Sequence, residues 1–192
     1  LRHRTPHRFP FPTPPEDPMI TLATTRLDTL LGPVVLLAHD DALVGLEFAD
    51  RIERCTALTA RLGRHLGAFV TATADDPAGA VTRLRAYLAG ALRALDEQPV
   101  EMLGTEFERA VWTELRRIPV GTTISYAELA TRVGQPNGSR AAGQANGRNP
   151  VSLFVPCHRV VAADGTLGGY GGGLERKRRL LEHEGALAPT IL

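Results

Sequence analysis

From Ile20 onward, apolar and polar positions alternate at the short period of β-strands. Ile20–Leu27, Pro33–His39 and Ala42–Phe48 are runs rich in Val, Leu and Thr, and Gly32-Pro33 and Asp40-Asp41 mark the turns between them. The period then lengthens to that of a helix. Ile52–Leu66 places Cys55, Leu58, Leu62 and Leu66 on one stripe. A second helix opens at Asp76-Pro77, a capping residue followed by a proline suited to a first turn, with Val81, Leu84, Leu88 and Leu92 as its stripe. The expectation is a small antiparallel sheet with helices packed on it, spanning residues 19–98.

Periodicity lapses over Asp96–Gly104, which reads as a linker. Thr105-Glu106-Phe107-Glu108 then has the capping-box form, with Phe107, Val111, Leu115 and Ile118 on one helical face. A second box, Ser125-Tyr126-Ala127-Glu128, starts a helix that turns Tyr126, Leu129, Ala130 and Val133 inward. The turn Gly134–Gly138 leads to a third helix over Ser139–Gly147, and two short helices around a glycine turn form a helix-turn-helix pattern. That third helix has few large side chains, and its glycines cost about 1 kcal/mol each relative to alanine. Either its backbone packs closely on a neighbouring helix, or it presents a smooth surface and one long cation, Arg140, to something bulky such as a DNA minor groove. Val151–Val155 reads as a buried strand leading into Pro156-Cys157-His158-Arg159-Val160-Val161. The fold class is therefore α+β, with a strand-and-helix N-terminal part and a mostly helical C-terminal part.

Composition narrows the class without identifying it. With 43% hydrophobic and 22% charged residues the chain is ordinary globular protein, which excludes collagen-like, disordered and disulfide-scaffold classes. No apolar run approaches the roughly 20 residues of a membrane span. Cys55 and Cys157 are too few to staple a chain of 192 residues, so a reducing, cytoplasmic setting is expected. The net charge of +1 offers no overall field for a polyanion, although the C-terminal half is the more basic. Lys177 is the only lysine among 22 basic residues, and its run Arg176-Lys177-Arg178-Arg179 reads as a solvated helix face. Leu1–Pro18, with six prolines and no apolar period, reads as a disordered extension ahead of a natural start at Met19.

A cysteine beside a histidine suggests a thiolate nucleophile, but neighbours on a strand point to opposite faces, so His158 helps Cys157 only if the chain turns at Pro156. Taken alone, the pair is as readily a buried structural thiol next to a satisfied histidine. The full string resolves this. Pro156-Cys157-His158-Arg159-Val160-Val161 closely resembles the active-site signature of the O6-alkylguanine-DNA alkyltransferases, the methylated-DNA–protein-cysteine methyltransferases. The match extends upstream through Ile124-Ser125-Tyr126, Arg140-Ala141-Ala142-Gly143 and Asn146-Gly147-Arg148-Asn149-Pro150. Downstream it runs through Gly165, the stretch Gly168–Leu174 and Glu182-His183-Glu184-Gly185, with Phe107 and Trp112 fitting the preceding helix.

The resemblance implies an N-terminal, ribonuclease H-like α/β domain over 19–98 and a helix-turn-helix alkyltransferase domain over 105–188. It also implies suicide repair, in which Cys157 takes the alkyl group from O6 of guanine, or from O4 of thymine, in one turnover. His158 and Glu184 would activate the thiol through a bound water, Tyr126 would give the departing guanine a proton, and Asn149 would tie the recognition helix to the active-site loop. Arg140 would be the arginine finger that replaces a flipped nucleotide, with Ser139, Ala141, Ala142 and Gly143 in the minor groove of double-stranded DNA beside Tyr126. Tyr126, Val160, Gly168, Tyr170 and Gly171 would form the substrate pocket. The glycine-rich loop has neither the lysine nor the strand context of a phosphate-binding loop.

Neither a cofactor nor a metal is expected: Cys55 lacks a partnering cysteine, and His39 and His65 lack ligand spacing. Cys55 is read as a core residue, and the chain as a monomer with no membrane partner. Arg148 and Ser152 depart from the family pattern where they would touch the groove and the pocket mouth. Two other classes compete. A DNA-binding sensor of alkylation damage that does not itself repair is disfavoured by the presence of Cys157, while one linked to regulation or to other repair proteins stays open through the Pro-rich head. A Cys-His hydrolase leaves the helix-turn-helix and Arg140 without a role.

Overall fold

The computed structural model describes residues 19–189, so the expectation for Leu1–Pro18 lies outside the described residues. The three sequence-read strands form as β1 (Ile20–Leu27), β2 (Val34–His39) and β3 (Ala42–Phe48), paired antiparallel in chain order. A fourth strand, β4 (Phe69–Thr73), pairs parallel to β1 and makes the sheet mixed, in the order β3-β2-β1-β4. It was not legible in the sequence because it is short and mostly exposed, so no buried face imposes alternation on it.

β3 would leave an open edge, but two irregular stretches cover it. Leu43 donates its N–H to Pro99 O at 2.9 Å and accepts from Glu101 N at 3.0 Å. Leu46 donates to Pro150 O at 2.9 Å and accepts from Ser152 N at 3.3 Å. The Asp96–Gly104 tract is thus more than a linker, since part of it lies along the sheet and Arg116 clamps it through Asp96 O and Gln98 O. The second stretch seats the segment that carries the cysteine directly on β3.

α1 (Ile52–Leu66) forms as expected, with Leu58 and Leu62 buried on the sheet. Cys55 is only half-buried, which corrects its reading as a core residue, and its thiol donates to Phe48 O at 3.5 Å. α2 (Ala80–Leu88) follows a 3-10 turn at Pro77–Gly79, and the Asp76 carboxylate accepts from Val81 N at 2.7 Å. The chain leaves helical conformation after Leu88 and Gly90 is left-handed (φ 104°), so Leu92 lies beyond the helix.

In the C-terminal half, α3 (Glu106–Arg116) carries the complete Thr105–Glu108 capping box. α4 (Tyr126–Arg132) keeps only half of its box: Ser125 accepts from Glu128 N, while the Glu128 carboxylate turns to Arg132 at 2.7 Å. α5 (Ser139–Gly147) buries Ala142 and Ala145, and Trp112 of α3 donates its indole N–H to Ala145 O at 2.9 Å. Close packing thus accounts for the small residues on the inner side of α5. Two short parallel strands, β5 (Ile124–Ser125) and β6 (Val160–Val161), bring the start of α4 beside the end of the cysteine segment. α6 (Leu174–His183) closes the fold.

The run 151–155 is not a regular strand. It forms a buried turn in which Leu153 takes φ 73° and Val155 N donates back to Val151 O at 3.0 Å. A pentapeptide that is apolar but for Ser152 and buried on every side has no period to distinguish the two forms. One core runs through both halves of the chain, from Val34 and Phe48 to Trp112, Val155 and Leu180.

Candidate active site

Cys157 opens a 3-10 turn over Cys157–Arg159, the bend at Pro156 that the histidine requires. It forms part of the lining of a pocket of about 210 Å³, with Tyr126, Gly143, Asn146, Ser152, Tyr170, Gly171 and Arg54 among the other walls. Of the sequence-read pocket residues, Tyr126, Tyr170 and Gly171 line it. Val160 lies buried behind it, and Gly168 packs on Tyr126, where a Cβ would meet the ring at 3.0 Å. Ser152, read only as a departure from the family pattern, is a wall residue.

Burial pushes the Cys157 thiol above its ordinary range, opposed by a hydrogen bond from Asn149 and by the charge of Arg54. The thiol is therefore protonated at rest and needs a base. His158, immediately adjacent, is buried, and burial lowers its pKa against the pull of Glu184. It is a neutral imidazole at pH 7.

Glu184 determines which tautomer that imidazole adopts. Its Oε2 accepts from Arg159 Nε at 2.8 Å, and its Oε1 accepts from Arg159 Nη2 and from the Tyr87 hydroxyl, both at 2.8 Å. Burial opposes the charge on Glu184, but the hydrogen bonds and charges of His158 and Arg159 hold its carboxyl well below the usual carboxylate range. An ionised carboxylate can only accept, so His158 Nε2, 3.0 Å away, donates to it. Nδ1 then carries the lone pair, and it is buried with no hydrogen-bond partner among the described residues. A protonated thiol, a neutral base with a free acceptor nitrogen and a fixed anion behind it form a nucleophile-activating set.

Asn149 is buried where the end of α5 meets the cysteine segment. Its amide donates to Val155 O at 2.7 Å and its carbonyl accepts from Val151 N at 3.0 Å. Asn146 reaches Cys157 O at 3.4 Å. The Tyr126 hydroxyl donates to Gly169 O at 3.3 Å, across the pocket, and burial raises its pKa, which keeps the proton on it. On α5, Arg140 and Ala141 are exposed, Ser139 and Gly143 are half-exposed, and Ala142 faces the core, so Ala142 supports the helix rather than its outer surface.

Sequence reasoning missed five side chains. Lys177 is fully buried, which corrects the solvated reading of its run; it donates to Val160 O at 2.5 Å, Gly169 O at 3.1 Å and Leu167 O, and burial pushes its pKa down to about 8. Its singularity in an arginine-rich chain was the available signal. Arg176, in the same run, also points inward, to Leu31 O at 2.6 Å and over Phe48 at 4.3 Å. Arg159 stood next to the motif and Tyr87 on a helix stripe, and nothing in either spacing pointed to Glu184. Arg54 of α1 joins buried Glu47 at 2.6 Å and also donates to Gly147 O at 2.9 Å and Asn149 O at 3.3 Å. Among the described residues no cluster of three or more His, Cys, Asp or Glu could hold a metal, and no helix is long and apolar enough to cross a membrane.

Residues 106–186 match the family described as 6-O-methylguanine DNA methyltransferase, DNA binding domain. The chain is 41% identical to a methylated-DNA–protein-cysteine methyltransferase of Shigella flexneri over 170 residues, covering 88% of this chain and 99% of the relative. A crystal structure of Mycobacterium tuberculosis OGT in complex with DNA superposes with a TM-score of 0.70 at 37% identity, covering 87% of this chain and 94% of the other. The O6-methylguanine-DNA methyltransferase of Pyrococcus kodakaraensis superposes with a TM-score of 0.62 at 26% identity, covering 85% and 99%.

Proposed function

The chain belongs to the methylated-DNA–protein-cysteine methyltransferases, and from that premise we propose how its own residues carry out the repair. It is a direct-reversal DNA repair protein that moves an alkyl group from O6 of guanine in DNA onto its own cysteine. The acceptor is Cys157, and the observation that carries this reading is the pairing of its pocket with the His158–Glu184 relay.

The steps follow from the protonation states. The Cys157 proton passes through a bridging water to Nδ1 of His158, and Glu184 stabilises the imidazolium that results. The sulfur attacks the alkyl carbon in line, an S–C bond forms, and the C–O6 bond breaks with its electrons going to the base. Tyr126 gives a proton to the departing ring, and the excess proton on His158 makes good that loss through solvent. Guanine leaves neutral and Cys157 becomes a thioether, which no group in the pocket can cleave, so the protein acts once. The chemistry uses only a thiol, a base and an acid, and calls for no cofactor.

The base reaches the pocket flipped from the duplex. Arg140 fills the gap it leaves, and the exposed side of α5 lies in the minor groove, where small residues allow close approach. The protein works as a monomer, in the cytoplasm.

The test is the mass of the Cys157 peptide after incubation with duplex DNA containing one O6-methylguanine. One added methyl, stoichiometric and absent in Cys157→Ser, is expected. Repair beyond one equivalent of protein overturns the single-turnover scheme. Tight binding with unmodified Cys157 would favour a damage sensor instead.

A further inference from the structure

Beside the end of α5 lies a second cavity, a groove of about 270 Å³ between that helix and α1, and four of its walls are arginines: Arg54, Arg61, Arg64 and Arg148. Two carboxylates face them. Buried Glu47 is taken up by Arg54. Glu108 is shared, with Arg61 at 3.2 Å and Arg148 at 3.5 Å. Arg64 is exposed and forms no ion pair among the described residues, and the Arg148 side chain is 58% exposed. The groove therefore has more positive charge than its own carboxylates neutralise.

Its position gives that charge a direction. The exposed side of α5 runs from Arg140 and Ala141 through Gln144 to Gly147, and Arg148 follows at once. At 1.5 Å per residue, Arg148 lies about 12 Å along the axis from Arg140. The groove thus continues the same face onto the N-terminal half. A larger arginine-lined cavity of about 450 Å³ beside Ile118 offers a contrast, because its guanidiniums are engaged. There Arg93 meets Asp96, Arg117 meets Glu114, Arg159 meets Glu184, and Arg116 donates to two carbonyls.

We propose that the groove is a phosphodiester site, in which Arg64 and Arg148 hold backbone phosphates of the same duplex that α5 enters, so that α1 takes part in DNA binding. The inference rests on the alkyltransferase reading and extends it from the recognition helix to the N-terminal half. Guanidinium forks suit phosphate oxygens, and such contacts position a duplex without reading its sequence.

The experiment is a salt titration of binding to an undamaged duplex, comparing the wild-type chain with the double variant Arg64→Ala/Arg148→Ala. Each lost phosphate contact lowers the slope of log K against log salt by about 0.9, so the double variant should be shallower by about 1.8. Arg93→Ala, which removes a charge elsewhere, should leave the slope at the wild-type value. Transfer from free O6-alkylguanine base, which has no phosphate, should stay within about twofold of wild type. An unchanged slope in the double variant overturns the proposal. So does an unchanged slope accompanied by lost crowding of protein along longer duplexes, which assigns the groove to a second copy of this chain. If the wild-type chain takes no alkyl group from damaged DNA, the alkyltransferase reading falls, while the slope comparison still decides the groove.

Discussion

The four-stranded sheet and the segment 149–161 are both deeply buried, yet they satisfy their backbones by different means. In the sheet, β2 and β3 pair along their length with one shift of register between Leu37 and Ala38, and the core beneath them is leucine, valine and phenylalanine. In the segment, residues 149–160 are all buried and mostly irregular, so short backbone turns bond only part of the chain and side chains supply the rest. Asn149 serves Val155 O and Val151 N, Asn146 serves Cys157 O, Lys177 serves Val160 O, and Arg159 serves Ile118 O at 2.6 Å. A buried backbone group left unpaired costs about 1–3 kcal/mol, so these polar residues are structural requirements as well as parts of the site. Chemistry and folding share residues throughout the segment, whereas in the sheet they meet only at Glu47 of β3, which holds the pocket-wall Arg54.

That contrast can be broken first at Glu184. Glu184→Gln leaves Arg159 buried without its anion and should lower the unfolding free energy by about 3–5 kcal/mol in denaturant titrations. Transfer to Cys157 should slow in the fraction that remains folded, because the His158 tautomer is no longer fixed. Leu36→Ala, in the middle of β2, should cost a comparable 2–5 kcal/mol or so. Here the rate per folded molecule should stay at the wild-type value, and a slower rate would mean that β2 is not separate from the chemistry.

pH separates the two regions by a smaller effect. Lys177 titrates at about 8 in the fold because burial disfavours its charge, and at the ordinary lysine value of 10.5 when unfolded. Between those values the unfolded chain binds more protons, so this group raises stability as pH climbs through that window, by on the order of 2 kcal/mol. The urea midpoint of wild type should show that rise relative to Lys177→Met; parallel profiles would mean that Lys177 is not buried as a cation. The smallest effect concerns the two helix caps. Thr105→Ala should cost about 1 kcal/mol and Ser125→Ala less, since only the first box is reciprocal, and thermal melts can rank them.

Legibility in the sequence follows the same division. α1, α3 and α5 and the Thr105 box were readable because each has one buried side, and a one-sided element writes its period into the chain. The cysteine motif was readable as a string, and Pro156 correctly suggested the turn that follows it. β4 was not readable, because its partner β1 lies some fifty residues away and its faces are mostly wet. Val151–Val155 was misread because total burial erases the period that separates a strand from a turn. Arg54 and Tyr87 could not be found at all, since each acts on a group more than ninety residues distant.

The Tyr87 hydroxyl bears on how such a chain can evolve. It comes from α2, in the N-terminal half, and ends on the Glu184 carboxylate that also accepts from His158. Residues 106–186 contain Cys157, His158 and α5, yet they do not contain that donor. A descendant that exchanged its first half for another module would inherit the motif intact and a relay one hydrogen bond short. Recombination at the junction is thus constrained by that phenol as well as by Arg54 of α1, and the N-terminal half is tied to the active site however freely the rest of its surface drifts.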